Sequence, residues 1–160
     1  MKATPLKVQK WLNAPDEYSL DVTANKIKVI HAFQMLCPGC VYHGIPQTVE
    51  LYNKLQGPDI DIVGLHTVFE NHHAMGEESL KVFIKEWRLP FPVGIDQHIN
   101  VHNLPETMRE YQLQGTPTTI VIDQSGEVLV KYFGALDTEK LIDFLKQKMP
   151  GPQSKSDGGS

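Results

Sequence analysis

The apolar positions of this chain fall into short runs and helical stripes, separated by Gly, Pro and Asp punctuation. Leu6 to Leu12 reads as a short edge strand, with a turn at Pro15 and Asp16. Lys26 to Phe33 is almost continuously apolar and β-branched, the pattern of a central strand covered on both faces. A helical stretch runs from Cys37 to about Gln56, and Gly44 and Pro46 within it predict a kink or a broken first turn. Gly57-Pro58 stops it, and Ile60 to His66 is a second buried strand. Asn71 to Met75 is a polar, histidine-rich loop or helix entry. Glu77 to Trp87 carries Leu80, Phe83, Ile84 and Trp87 at helical spacing, so that face is expected to pack on the sheet. Phe91 to Ile95 is a short strand and Pro105 to Tyr111 a short helix. Thr118 to Ile122 and Val128 to Phe133 are joined by Asp123-Gln-Ser-Gly126, a hairpin signal. Asp137 can cap a last helix from Thr138 to about Lys148, with Leu141, Ile142, Phe144 and Leu145 inward. Strand–helix alternation followed by a hairpin predicts an α/β fold: a mixed central sheet with helices on both faces.

Length and composition narrow the picture only a little. The 160 residues suit one domain, expected at 1–149, followed by a small polar tail at 150–160 expected to be disordered. A net charge of −4 gives no basic surface for nucleic acid or an anionic membrane. No apolar run approaches the roughly 18 residues of a membrane helix, and the first 25 residues lack the apolar core of a signal peptide. As written, the chain is expected to be cytoplasmic; a chain trimmed of its signal peptide reads the same, so a periplasmic origin is the alternative.

The chemistry is concentrated in Cys37-Pro38-Gly39-Cys40, which holds the only two cysteines. A strand that delivers this motif into a helix start puts one thiol among free N–H groups at the positive end of the helix dipole, where a thiolate is favoured. The second thiol lies one turn on, which equips the site for reversible dithiol–disulfide exchange. A purely structural disulfide is disfavoured, because so small a loop constrains the unfolded chain little. A structural zinc site generally needs four ligands, and no second C-x-x-C exists. His31 is a polar residue inside the buried strand, so it must be hydrogen-bonded or carry protons. His43, three residues after Cys40, returns towards the motif if the helix is intact.

Strand, C-x-x-C, helix, and a later Gly115-Thr116-Pro117-Thr118 leading into the hairpin and last helix resemble the thioredoxin fold. Val63-Gly64-Leu65-His66-Thr67 followed by Phe91-Pro92-Val93-Gly94-Ile95-Asp96 is similar to the strand–helix insertion of the TlpA-like and redoxin branch. His31-Ala-Phe-Gln-Met-Leu-Cys-Pro-Gly-Cys40 is similar to the signature of bacterial proteins of that branch. The resemblance covers residues 6 to 148. It implies a thiol–disulfide oxidoreductase in which Cys37 is the nucleophile and Cys40 the resolving thiol. Pro117 matches the family's cis-proline, and Thr116, Pro117, Pro38 and Gly39 are the implied substrate contacts. His31 stands where thioredoxins have a buried acid, and His43 where TlpA-like proteins commonly have Glu. No cofactor is implied beyond a redox-active Cys37–Cys40 disulfide. Implied partners are protein or small-molecule disulfides and a reducing partner such as a thioredoxin system, for a chain expected to be monomeric and to serve an antioxidant role. Two departures stand out. Pro46 falls nine residues after Cys37, against eight in thioredoxin, and Leu36 replaces the tryptophan that commonly precedes the first cysteine.

Other functions remain open at this level. A peroxiredoxin-like peroxidase of the AhpC/TSA kind shares the fold and a Cys-Pro, but its pattern requires Pro and Ser or Thr where Ile30 and Gln34 stand. A copper or zinc module could use Cys37, Cys40 and His43, with His66, His72, His73, His98 and His102 elsewhere. A pure interaction module leaves the paired thiols without a purpose.

Overall fold

The computed structural model describes residues 1–99 and 101–150; the tail expectation for 151–160 lies outside the described residues. The strands are β1 (Val8–Leu12), β2 (Ile27–Phe33), β3 (Ile60–His66), β4 (Val93–Asp96), β5 (Thr118–Ile122) and β6 (Val128–Phe133). The α-helices are α1 (Ile45–Leu55), α2 (Glu77–Glu86), α3 (Glu106–Glu110) and α4 (Thr138–Lys148). One mixed sheet runs β1-β4-β3-β2-β5-β6. β2, β3 and β4 are parallel, while β1, β5 and β6 are antiparallel to their neighbours.

All seven residues of β2 are buried, as a continuous apolar run in mid-sheet requires. The strand's period of two divides them between two layers. Ile27 and Val29 pack with Leu51 of α1 and Leu141 and Leu145 of α4, and Phe33 packs with Ile45 and with Leu80 of α2. Ile30 and Ala32 face Met108 of α3, Tyr111 and Leu113 on the other side. His31 falls on the α1 side. Lys28 points the other way and is fully buried, its ammonium donating to the carbonyls of Ala24 (2.6 Å) and Asp123 (2.8 Å). Loss of hydration lowers its pKa, and those carbonyls replace the lost water.

Several expectations are corrected in detail. The break in the first helix is a π turn over Cys40–Gly44, in which the Ile45 N–H donates to the Cys40 carbonyl, before α1 starts with Pro46 in its first turn. The extra residue between Cys37 and Pro46 is taken up in that wide turn. β4 begins at Val93, because Pro92 has no N–H to give the ladder, although its carbonyl accepts from Gly64. Trp87 does not face the sheet. α2 ends at Glu86, Arg88 takes a left-handed φ of 51°, and Trp87 stays 49% exposed, its ring against that of Phe83.

Candidate active site

The C-terminal end of β2 hands the chain to a turn, Gln34 to Cys37, closed by the Cys37 N–H donating to the Gln34 carbonyl (3.0 Å). Helical backbone starts at Pro38, a position where a missing N–H costs nothing. Cys37 therefore stands as the residue before the first helical turn, with its carbonyl accepting from Val41. Both cysteines are free thiols, Cys37 half-buried and Cys40 fully buried.

The two sulfurs have different surroundings. The Cys37 thiol donates to the Thr116 carbonyl at 3.6 Å, across 79 residues of chain. The Cys40 sulfur accepts the Gln34 N–H at 3.5 Å. Burial, and after it hydrogen bonding with the Cys37 thiol, pushes the Cys40 thiol up to about 12. Cys40 is thus a protonated thiol in the resting dithiol, and Cys37 is the sulfur that solvent and substrate can reach.

The Thr116-Pro117 bond is cis, as the resemblance implied. Pro117 is held by the Gly134 N–H, which donates to its carbonyl (2.8 Å), and by the Thr118 hydroxyl, which donates to the Gly115 carbonyl (2.6 Å). A Cβ on Gly39 would stand 3.3 Å from Pro117 Cδ, so the motif and the proline loop are in close contact. Pro38 and Leu36 are exposed beside Cys37, and Leu36, 56% exposed, supplies an apolar rim.

His31 is buried behind the motif, and neither ring nitrogen has a hydrogen-bond partner among the described residues. Of the two alternatives for this residue the hydrogen-bonded one is not met, and it makes no bond to Cys40. Burial drives its pKa down to about 3, so the ring is neutral. It stacks on Phe33 at 5.7 Å and lies under Gly44, where a Cβ would come within 2.4 Å of its Cε1. The π turn sets this arrangement, since one inserted residue rotates the following helix by roughly 100°. His43 is exposed. It lines a groove of about 240 Å³ with Tyr42, Pro46 and Leu136, and no hydrogen bond joins it to either sulfur.

Sequence reasoning named His66 only among the histidines of a metal-binding alternative, and missed both its contact with the turn and the side chain of Gln34. His66, at the end of β3, accepts the Met35 N–H at 3.1 Å. Gln34 accepts the Phe69 N–H (3.0 Å) and donates to Glu70 (3.3 Å). Two polar residues closing otherwise apolar strands were the available signal. Among the described residues, no group of three or more His, Cys, Asp or Glu is arranged to hold a metal ion.

A dithiol on a helix start, one sulfur open and one buried, with a cis-proline against it on a mixed α/β sheet, defines a thiol–disulfide oxidoreductase of thioredoxin-like fold. The AhpC/TSA family matches residues 2–131, and the chain belongs to that family. It is similar to the thioredoxin-like superfamily protein SPOA0173, with 41% identity, 92% of this chain and 96% of that chain covered, and a TM-score of 0.87. It is similar to a thiol-disulfide isomerase from Corynebacterium glutamicum, with 37% identity, 93% and 96% covered, and a TM-score of 0.85. It also resembles thiol-disulfide oxidoreductase ResA of Bacillus cereus, 26% identical over 153 residues, which are 90% of this chain and 81% of that protein.

Proposed function

We propose that the chain forms one catalytic domain over residues 1–149 and reduces disulfides in proteins or small molecules, its only redox group being the Cys37–Cys40 pair. The inequality of the two sulfurs carries this reading. Cys37, as thiolate, attacks a substrate disulfide; a Cys37–substrate S–S bond forms and the first substrate sulfur leaves. Cys40 gives up its proton and attacks Cys37 Sγ, which closes the intrachain disulfide and releases the second substrate sulfur. Two electrons pass from the dithiol to the substrate, and a thiol reductant such as a thioredoxin system restores the pair. Pro38, Gly39, Thr116 and Pro117 border Cys37 and would contact the substrate. The Cys40 proton ends on the released substrate sulfur, and neutral His31, buried behind the motif, is the relay we assign to it, directly or through water. His43 would act at the rim, as a cation when protonated. The reducing direction follows from a cytoplasmic location, where dithiols are kept reduced; an extracytoplasmic location would favour the reverse. We place the protein in the cytoplasm of a bacterial cell as a monomer with an antioxidant role.

The Cys40→Ser variant should accumulate a mixed disulfide through Cys37, and Cys37→Ser should abolish reduction of insulin. Equal trapping by both variants would overturn the assignment of roles. A titration against glutathione fixes the direction. The AhpC/TSA membership favours a second reading, a peroxidase. Against it, Ile30 lies within the buried strand and Gln34 gives its N–H to Cys40, so neither supplies the hydroxyl or proline of the peroxidatic pattern. Rapid turnover of hydrogen peroxide on the same sample would reverse the order of the two.

A further inference from the structure

The motif is delivered by a turn in which three N–H groups go to three different acceptors. Gln34 N–H reaches Cys40 Sγ (3.5 Å), Met35 N–H reaches His66 Nε2 (3.1 Å), and Cys37 N–H reaches the Gln34 carbonyl (3.0 Å). The second bond differs from the others because its acceptor is a side chain of another strand. His66 ends β3 and pairs in register with Phe33, the last residue of β2. One residue on, the Thr67 N–H donates to the Phe33 carbonyl (3.0 Å), and the Gln34 side chain binds Phe69 and Glu70. The turn is therefore lashed to the chain leaving β3.

His66 is 1% exposed, and its ring lies 5.1 Å from that of Phe33. Burial holds its pKa down, to about 4, so the ring is neutral and Nε2 carries a lone pair. The proton then sits on Nδ1. That nitrogen is not among the buried polar atoms left unpartnered, and the ring lines a cavity of about 230 Å³ with Val68, Met75 and Asp96. The tautomer also makes His66 a donor rather than a metal ligand on the cavity side.

We propose that His66 is a positioning residue for thiol–disulfide exchange. By taking the Met35 N–H it fixes the Gln34–Cys37 turn, so that the Gln34 N–H faces Cys40 Sγ and Cys37 stands at the start of the helix that opens at Pro38. It touches neither sulfur. A glutamine places its side-chain oxygen about where Nε2 lies; leucine fills the space and leaves a buried N–H without an acceptor. This inference rests on the Cys37–Cys40 reading above.

Two measurements test it. In uniformly ¹⁵N-labelled protein, scalar coupling across the hydrogen bond should connect the Met35 amide nitrogen to His66 Nε2, and the ring shifts should put the proton on Nδ1. Separately, the rate of iodoacetamide alkylation at Cys37 is followed against pH for wild type, His66→Gln and His66→Leu, with the modified site identified by mass. His66→Gln should stay within about twofold of wild type, and His66→Leu should fall by about fivefold or more with a displaced pH profile. Absence of the coupling, or equal behaviour of the two variants, overturns the proposal. Should His66→Leu not fold, the coupling and the His66→Gln rate decide. Failure of the function reading is separable: wild type would then reduce no disulfide, while the alkylation comparison would still report on His66.

Discussion

At the scale of single residues, the tightest constraint in the site is the fit of Gly44 over His31. A methyl group at position 44 would lie 2.4 Å from Cε1 and 2.6 Å from Nε2 of a fully buried ring, so one of them must move. Gly44→Ala should lower stability by about 1–3 kcal/mol, the usual cost of overpacking. His31→Ala opens a cavity and is destabilising by itself. The double variant should lose clearly less than the two single losses combined, because the added methyl enters the vacated space. Urea unfolding of the four proteins measures this coupling, and strict additivity would show that the ring and the glycine do not compete. His31 was legible in the sequence as a polar residue in a buried strand. Its lack of any partner was not, because that depends on what the Cys40–Gly44 turn brings against it from outside the strand.

At the scale of elements, the start of the last helix is where sequence and structure agree best. Asp137 accepts the Lys140 N–H at 3.1 Å and caps α4, as its place before an apolar stripe implied. Asp137→Ala should cost about 1 kcal/mol, read as a lower urea midpoint, with the rate of disulfide reduction unchanged. A loss of activity without a loss of stability would contradict a capping role. α3 is different. Its first-turn N–H groups at Thr107 and Met108 are satisfied by Asp96 from the end of β4, at 2.8 and 3.0 Å, a cap eleven and twelve residues away that no local pattern announces. The π turn was half legible. Gly44 and Pro46 announced an irregularity, but an extra residue can be absorbed as a kink, a broken turn or a wide turn. The packing of Gly44 on His31 and Pro117 selects the wide turn.

At the scale of the whole molecule, two buried histidines make the fold sensitive to acid. Burial drives His31 to about 3 and His66 to about 4, from an ordinary value of 6.5. In the unfolded chain both would take up protons as the pH falls through that ordinary value; in the folded chain they do not until much lower. The unfolded state thus binds more protons in this window, so stability is full above about pH 6.5 and is lost as the pH falls towards 4 and then 3. Asp96 works in the opposite sense, since burial raises its pKa and the fold holds its proton more tightly than the unfolded chain. The histidines have the larger shifts and should dominate. Urea midpoints should be level near neutrality and decline below, and His66→Gln should remove part of the decline. A flat profile down to pH 4 would mean that the rings find partners on protonation. The sequence by itself determined the strands and most of the helices, and the pairing of two thiols one turn apart, because periodicity and short spacings act locally. Only the tertiary structure decided that Cys40 is sealed and protonated, that His31 has no partner, and that His66 holds the turn. Each of these depends on groups far apart in sequence meeting where β2, β3 and the Thr116-Pro117 loop converge, and desolvation there is a property of the packed site, not of any one stretch of chain.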